Sequence, residues 1–154
     1  MNMITPDRLA ELTVQALERT AFMMADPVSV EPSALAAARR CAAIRYSGPG
    51  SGIVTLRTTD DFLQALVANL LGVEADEAQI ESYAQDALSE LTNILGGSVI
   101  SELGGRECVY SLGLPQLSEP APADASTQIC CLESEGQLLF VAWRPEAVSS
   151  SLAA

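Results

Sequence analysis

Residues 76–103, DEAQIESYAQDALSELTNILGGSVISEL, form the stretch around which the rest of the chain is arranged. At about 100° per residue, Ile80, Ala84, Leu88, Leu91, Ile94 and Leu95 fall on one side of a helix, giving an apolar face suited to a core. Gly104 and Gly105 would close that helix. Asp86, Glu90, Asn93 and Gly97 fall on the opposite side, within roughly 60° of each other by the same rotation. One narrow outward line therefore carries two carboxylates, an amide and a glycine. Solvation of a polar face accounts for most such residues on most helices. Two features go beyond it. Asp86 and Glu90 are like charges at i,i+4, with no Lys or Arg between Glu81 and Glu102 to compensate them. Asn93, Gly96 and Gly97 are poor helix formers, together costing about 2 kcal/mol or more relative to Ala. Paired glycines beside an amide and an acid would let another backbone come close, which suits a surface reaching into a partner. A break at Gly96-Gly97, dividing the segment into two helices, is the competing explanation.

Upstream, Thr5-Pro6-Asp7 opens a first helix with a hydroxyl cap, a proline at the first helical position and an acid in the first turn. Leu9, Leu12, Ala16 and Leu17 continue it at helical spacing, with an expected end near Met24. Val28-Ser29-Val30 is a short β-like piece. The runs from Cys41 to Tyr46 and from Ile53 to Arg57 read as a hairpin across Gly48-Pro49-Gly50-Ser51-Gly52. That connector lacks the GK[ST] ending of a phosphate loop and joins two strands, so it is a turn. Thr58-Thr59-Asp60-Asp61 caps a second helix bearing Phe62, Leu66 and Leu70 and ending at Gly72. After the long helix come strands at Cys108 to Leu112, Ile129 to Leu132 and Leu138 to Trp143, the last two joined by a turn over Glu133-Ser134-Glu135-Gly136. The stretch from Pro115 to Thr127 reads as an exposed loop, and the tail after Pro145 as weakly ordered. Residues 1–154 thus suggest a single α+β domain of two layers, with long helices covering one face of a largely antiparallel sheet.

The net charge is -12, and the eight basic residues are all Arg, so the surface should repel nucleic acid and anionic membranes alike. No stretch reaches the roughly 18 apolar residues of a membrane span, and the N-terminus has no signal-like apolar run, which points to a cytoplasmic protein. Cysteines at 41, 108, 130 and 131 lack C-x-x-C spacing, so reduced structural thiols without metal are expected. With no His and no Lys in the chain, histidine triads, zinc-histidine hydrolases, histidine phosphotransfer, P-loops and orthodox receivers are all excluded. Catalysis would have to rest on carboxylates, amides, hydroxyls, thiols or arginine.

The segment Asp86-Ala87-Leu88-Ser89-Glu90-Leu91-Thr92-Asn93-Ile94-Leu95-Gly96-Gly97 resembles the signature of the CheC/CheX/FliY phosphatase family: an acid or Ser, three residues, Glu, two residues, Asn, then small residues. The element order also resembles the CheX branch, from the first helix to Ser111-Leu112-Gly113-Leu114-Pro115 after the signature. One signature copy is present, as in CheX, whereas CheC-like chains carry two. The chain departs from CheX-like sequences at Ser98, where Asn is frequent, and in its proline-rich loop and acidic balance. The resemblance implies a CheC/CheX-like fold and a protein phosphatase acting on the phospho-aspartate of a response regulator. It implies that Glu90 pairs with the regulator's active-site lysine and that Asn93 orients the attacking water. The outward line and its paired glycines, read from the residues themselves, make Asp86, Gly96 and Gly97 the positions expected to meet the partner. The resemblance further implies a homodimer and no intrinsic cofactor, Mg²⁺ being held by the partner regulator.

That chemistry suits a chain without Lys or His, because phosphoryl transfer needs an in-line water and neutralised charge, and the partner brings the latter. The alternative from another class is a catalytically silent CheX-like module that binds a receiver or another signalling domain through the same helix face. A purely structural homodimer is a third.

Overall fold

The computed structural model describes residues 3–72, 77–104, 109–117 and 124–146, and only the backbone at Leu71 and residues 77–81. Two apolar, β-branched runs on either side of Gly48-Pro49-Gly50 make the central hairpin. Strands β2 (Arg40–Ser47) and β3 (Ser51–Thr58) pair antiparallel from Arg40↔Thr58 to Tyr46↔Gly52. On the other side of β3 lies β7 (Gln137–Glu146), and β6 (Gln128–Ser134) folds back onto β7. Glu135 (φ 52°) and Gly136 (φ 81°) make that connection as a two-residue turn with both backbones left-handed, so the strands reach further than the sequence suggested. Short β1 (Asp26–Pro27) adds beside β6, while β4 (Ser111–Leu112) and β5 (Gln116–Leu117) share the free edge of β2. Among the described residues the sheet order is β1-β6-β7-β3-β2-β4, with β5 also on β2, and the strand pairs are antiparallel.

Alternation along the strands puts Ala42, Ile44, Tyr46, Val54, Leu56, Leu132, Leu139, Val141 and Trp143 on one face, all buried. Helices α1 (Pro6–Ala21), α2 (Asp60–Leu71) and α3 (Glu77–Gly104) cover that face, which is the two-layer arrangement of an α+β domain. The caps act as the sequence suggests: Thr5 Oγ1 accepts from the Arg8 amide at 3.1 Å, and Thr59 Oγ1 from the Phe62 amide at 3.1 Å. Gly72 ends α2 in left-handed backbone (φ 66°). Among the described residues no helix is long and apolar enough to cross a membrane.

Three expectations need correction. Helix α1 stops at Ala21 rather than near Met24, because Phe22 turns left-handed (φ 53°) and the Met23 amide closes back on the Leu17 carbonyl at 3.2 Å. The strand expected at Val28-Ser29-Val30 lies earlier, at Asp26–Pro27; Val28 makes one bond to the Cys131 carbonyl, and a 3₁₀ turn follows at Pro32–Ala37. Residues 116 and 117, read as loop, pair with Ala43 and Ala42. The expectations on Asp76, Gly105, Cys108, residues 118–123 and the tail from 147 lie outside the described residues, as does the side chain of Ile80.

Gly52 shows why a residue read as part of a turn is needed within the sheet. A side chain there would run into the Tyr46 phenol and come within 2.8 Å of the Arg144 carbonyl. The space it leaves lets the Tyr46 hydroxyl accept from Trp143 Nε1 at 2.9 Å in the core. Tyr46→Phe should orphan that buried indole N–H and cost about 1–3 kcal/mol. Urea unfolding of the two proteins measures it, and equal midpoints would mean that the bond carries no net stability.

Candidate functional site

Helix α3 runs without interruption through Gly96 and Gly97. Packing explains its continuity. Leu88, Leu91, Leu95 and Val99 are fully buried against the sheet and the flanking helices. Burying several such side chains, at about 1.5–3 kcal/mol each, outweighs the roughly 2 kcal/mol of poor propensity. Thr92, buried, turns its hydroxyl back to the Leu88 carbonyl (2.7 Å), and Ser98 does the same to Ile94 (3.1 Å), so neither leaves a polar group unmet.

The opposite face carries Asp86, Glu90 and Asn93, all exposed. Their side chains make no hydrogen bond or ion pair with any described residue. Glu90 and Asn93 stand at i,i+3, where side chains are neighbours about 5–6 Å apart at Cβ. Gly97, one turn beyond Asn93, has open space where a side chain would be. Asn93 is therefore unobstructed on its C-terminal side. The arginines that contact this layer are engaged elsewhere. Arg8 of α1 donates to Glu102 at 2.7 and 2.9 Å and to Glu11, and these bonds hold the Glu102 carboxyl below its ordinary range. Arg39 and Arg40 pair with Asp60.

Gly96 does not belong to the outward line. It is buried, and a Cβ there would lie 2.8 Å from Ile44 Cγ2 and 2.9 Å from Leu112 Cδ1. The backbone whose close approach it permits is the chain's own sheet edge, because at 100° per residue position 96 faces the side of α3 toward β2 and β4. This corrects the expectation that Gly96 meets a partner.

Sequence reasoning missed the apolar edge next to this line. Leu114, between β4 and β5, is 84% exposed, and Leu117, on β5 where that strand meets α3, is 47% exposed. The motif Ser111 to Pro115 was the available signal, but its two-residue strands have no periodicity to detect. A shallow cleft lies further along α3, between Gln85, Leu88, Cys41, Arg40 and Leu117. Cys130 and Cys131 are free thiols; burial pushes Cys130 up to about 12, which leaves it a core residue rather than a nucleophile. Among the described residues no cluster of Cys, Asp and Glu is arranged to hold a metal ion.

The family model described as chemotaxis phosphatase CheX matches residues 40–131, from the start of β2 through α3 into β6. The chain belongs to the CheX family. No curated protein sequence matches it. Solved structures share the CheX fold at low identity. A chemotaxis protein CheX from Desulfovibrio desulfuricans is 18% identical, covers 90% of this chain and 96% of its own, and superposes with a TM-score of 0.73. A CheC-like chemotactic protein from Shewanella oneidensis is 17% identical over 95% and 100% of the two chains, with a TM-score of 0.73. CheX in the CheX–CheY–BeF₃–Mg²⁺ complex from Borrelia burgdorferi is 11% identical over 94% and 99%, with a TM-score of 0.69. At these identities the likeness establishes the fold of this CheX-family chain, a two-layer antiparallel α+β domain.

Proposed function

We propose that this CheX-family protein hydrolyses the aspartyl phosphate of a CheY-like response regulator, using Asn93 to orient water and Glu90 to align the partner. The observation that carries the reading is the pair itself: an acid and an amide at i,i+3, exposed and unengaged on a continuous helix, in a chain with no Lys and no His. A carboxylate left without a cation of its own is suited to a cation from elsewhere, here the receiver's lysine. An amide offers a carbonyl that accepts from one proton of a water, holding its lone pair toward phosphorus. The water attacks in line, the bond from phosphorus to the aspartyl oxygen breaks, and inorganic phosphate and a free carboxylate result. Mg²⁺ on the receiver supplies charge neutralisation when bound there; this chain contributes position.

A CheX–CheY complex exists in the Borrelia relative, which supports a regulator of that class as partner. The proposal includes the homodimer, which light scattering tests. Asp86, on the same line as Glu90, adds negative potential that draws a cationic partner surface.

Glu90→Ala should weaken regulator binding and lower the rate together, because the lost ion pair aligns the complex as well as holding it. Titration of beryllofluoride-loaded receivers with the wild type and the variant gives the affinities, and phosphate release gives the rates. We expect roughly a tenfold loss in each, as for a hydrogen-bonded charge pair at an interface. Equal affinity and rate would remove Glu90 from the site. A receiver bound by the wild type without accelerated hydrolysis would favour the silent binding module instead.

A further inference from the structure

We infer that the interrupted edge strand at Leu114–Leu117 forms an apolar docking ledge beside Asn93, on which the receiver domain seats itself. The inference rests on the reading of Glu90 and Asn93 as the receiver-facing site. Its geometry comes from a register shift. Leu112 sits opposite Tyr46, and the Gly113 amide donates to the Arg45 carbonyl at 2.8 Å, which keeps the same register. Gln116 and Leu117, however, sit opposite Ala43 and Ala42. One extra residue is therefore taken up at Leu114-Pro115, a bulge in the edge strand.

The bulge decides which side chains meet α3. Without it, Leu112 and Leu117 would point to opposite faces. With it, both turn toward the helix: Leu112 lies against Gly96, and Leu117 lines the cleft with Gln85 and Leu88. Gly96 is thus level with Leu112, and Leu88 with Leu117. Along α3 Asn93 falls between these two levels, as the bulge does along the edge. Leu114 stands there almost fully exposed, and Leu117 is half-exposed beside it.

Leu114 and Leu117 are exposed together at the sheet edge, so they offer a joint apolar surface rather than scattered single side chains. The edge is also closed to strand addition at this point, since Pro115 has no N–H to offer a further strand. Contact there must be through side chains. The ledge and the line together present apolar surface near Asp86 and Glu90, whose carboxylates make no ion pair with a described residue, while Arg39 and Arg40 at the far end of the cleft are paired with Asp60. The complementary partner is a receiver domain that offers a lysine to Glu90 and an apolar surface beside its phosphorylation site. The phosphoryl group then reaches Asn93 only when the ledge is covered.

The test is binding of a panel of CheY-type receivers, each loaded with Mg²⁺ and beryllofluoride, to the wild type, Leu114→Ser, Leu114→Asp and the control Met24→Ser. Met24 is an exposed apolar residue beside β1, at the opposite edge of the sheet. Both Leu114 variants should raise Kd on the order of 10-fold or more, the cost of failing to bury one leucine, with the larger effect for Asp. In phosphate release the change should fall on KM more than on kcat. Met24→Ser should leave Kd unchanged. Thermal midpoints close to wild type separate docking from folding, and Leu114→Ser keeps the test valid if Leu114→Asp unfolds. An unchanged Kd in Leu114→Ser, or an equal loss in Met24→Ser, overturns the ledge. A wild type that binds a receiver but does not hydrolyse its phosphate removes the phosphatase reading alone, and the Kd ratio still decides the ledge. A wild type that binds no receiver overturns both.

Discussion

Replacing Asn93 by Ala should lower turnover of a phosphorylated receiver on the order of 10²-fold or more, with the fold and receiver binding kept. The amide meets only the attacking water, so its loss removes orientation and leaves the contacts that assemble the complex. The side chain is exposed and bonded to nothing in the described structure, so removing it orphans no partner. Asn is also a poor helix former, and Ala at position 93 should stabilise α3 by a few tenths of a kcal/mol, roughly the propensity difference. Stability and activity would move in opposite directions. Decay of the acyl phosphate, receiver affinity and the thermal midpoint of the two proteins measure this. An Asn93→Ala protein with the wild-type rate would end the catalytic assignment and leave a binding module.

Two residues earlier on the same helix, the opposite outcome is expected. Leu91 is fully buried under the candidate site, and Leu91→Ala should cost about 2–5 kcal/mol, from lost transfer energy and the cavity left behind. For a domain of this size that lowers the midpoint by roughly 5–20 °C. The folded fraction should still hydrolyse the receiver's phosphate at low temperature, because the outward face is carried by the same helix. Urea unfolding and rates normalised to folded protein separate the effects. A loss under about 1 kcal/mol would mean that α3 is not seated on the sheet as described.

The contrast between these two positions follows from what a single sequence carries. The 3.6-residue period separates Leu88, Leu91 and Leu95 from Asp86, Glu90 and Asn93 cleanly, and the structure puts the first set in the core and the second in solvent. The hairpin of β2 and β3 was equally plain, since its apolar runs flank a glycine-proline turn. Gly96 was misplaced because propensity registers a glycine's cost without saying whose backbone comes near; only Ile44 and Leu112, distant in sequence, show that it is the chain's own sheet. The early end of α1 depends on Phe22 adopting a left-handed backbone that few side chains favour, which no periodicity announces. Strand β5 is two residues long and follows a proline, so it exists only through its pairing with β2. The ledge of Leu114 and Leu117 stayed hidden for the same reason. Its bulge is a shift of register against β2, and register is a tertiary property.

The most direct measurement is the decay of a receiver's phospho-aspartate in the presence of a tenth of an equivalent of this protein, followed well past one turnover. The account predicts that most of the acyl phosphate is lost faster than by the receiver's own hydrolysis, with inorganic phosphate released in excess of the protein present. Decay at the receiver's intrinsic rate, for a receiver that the protein demonstrably binds, would contradict it.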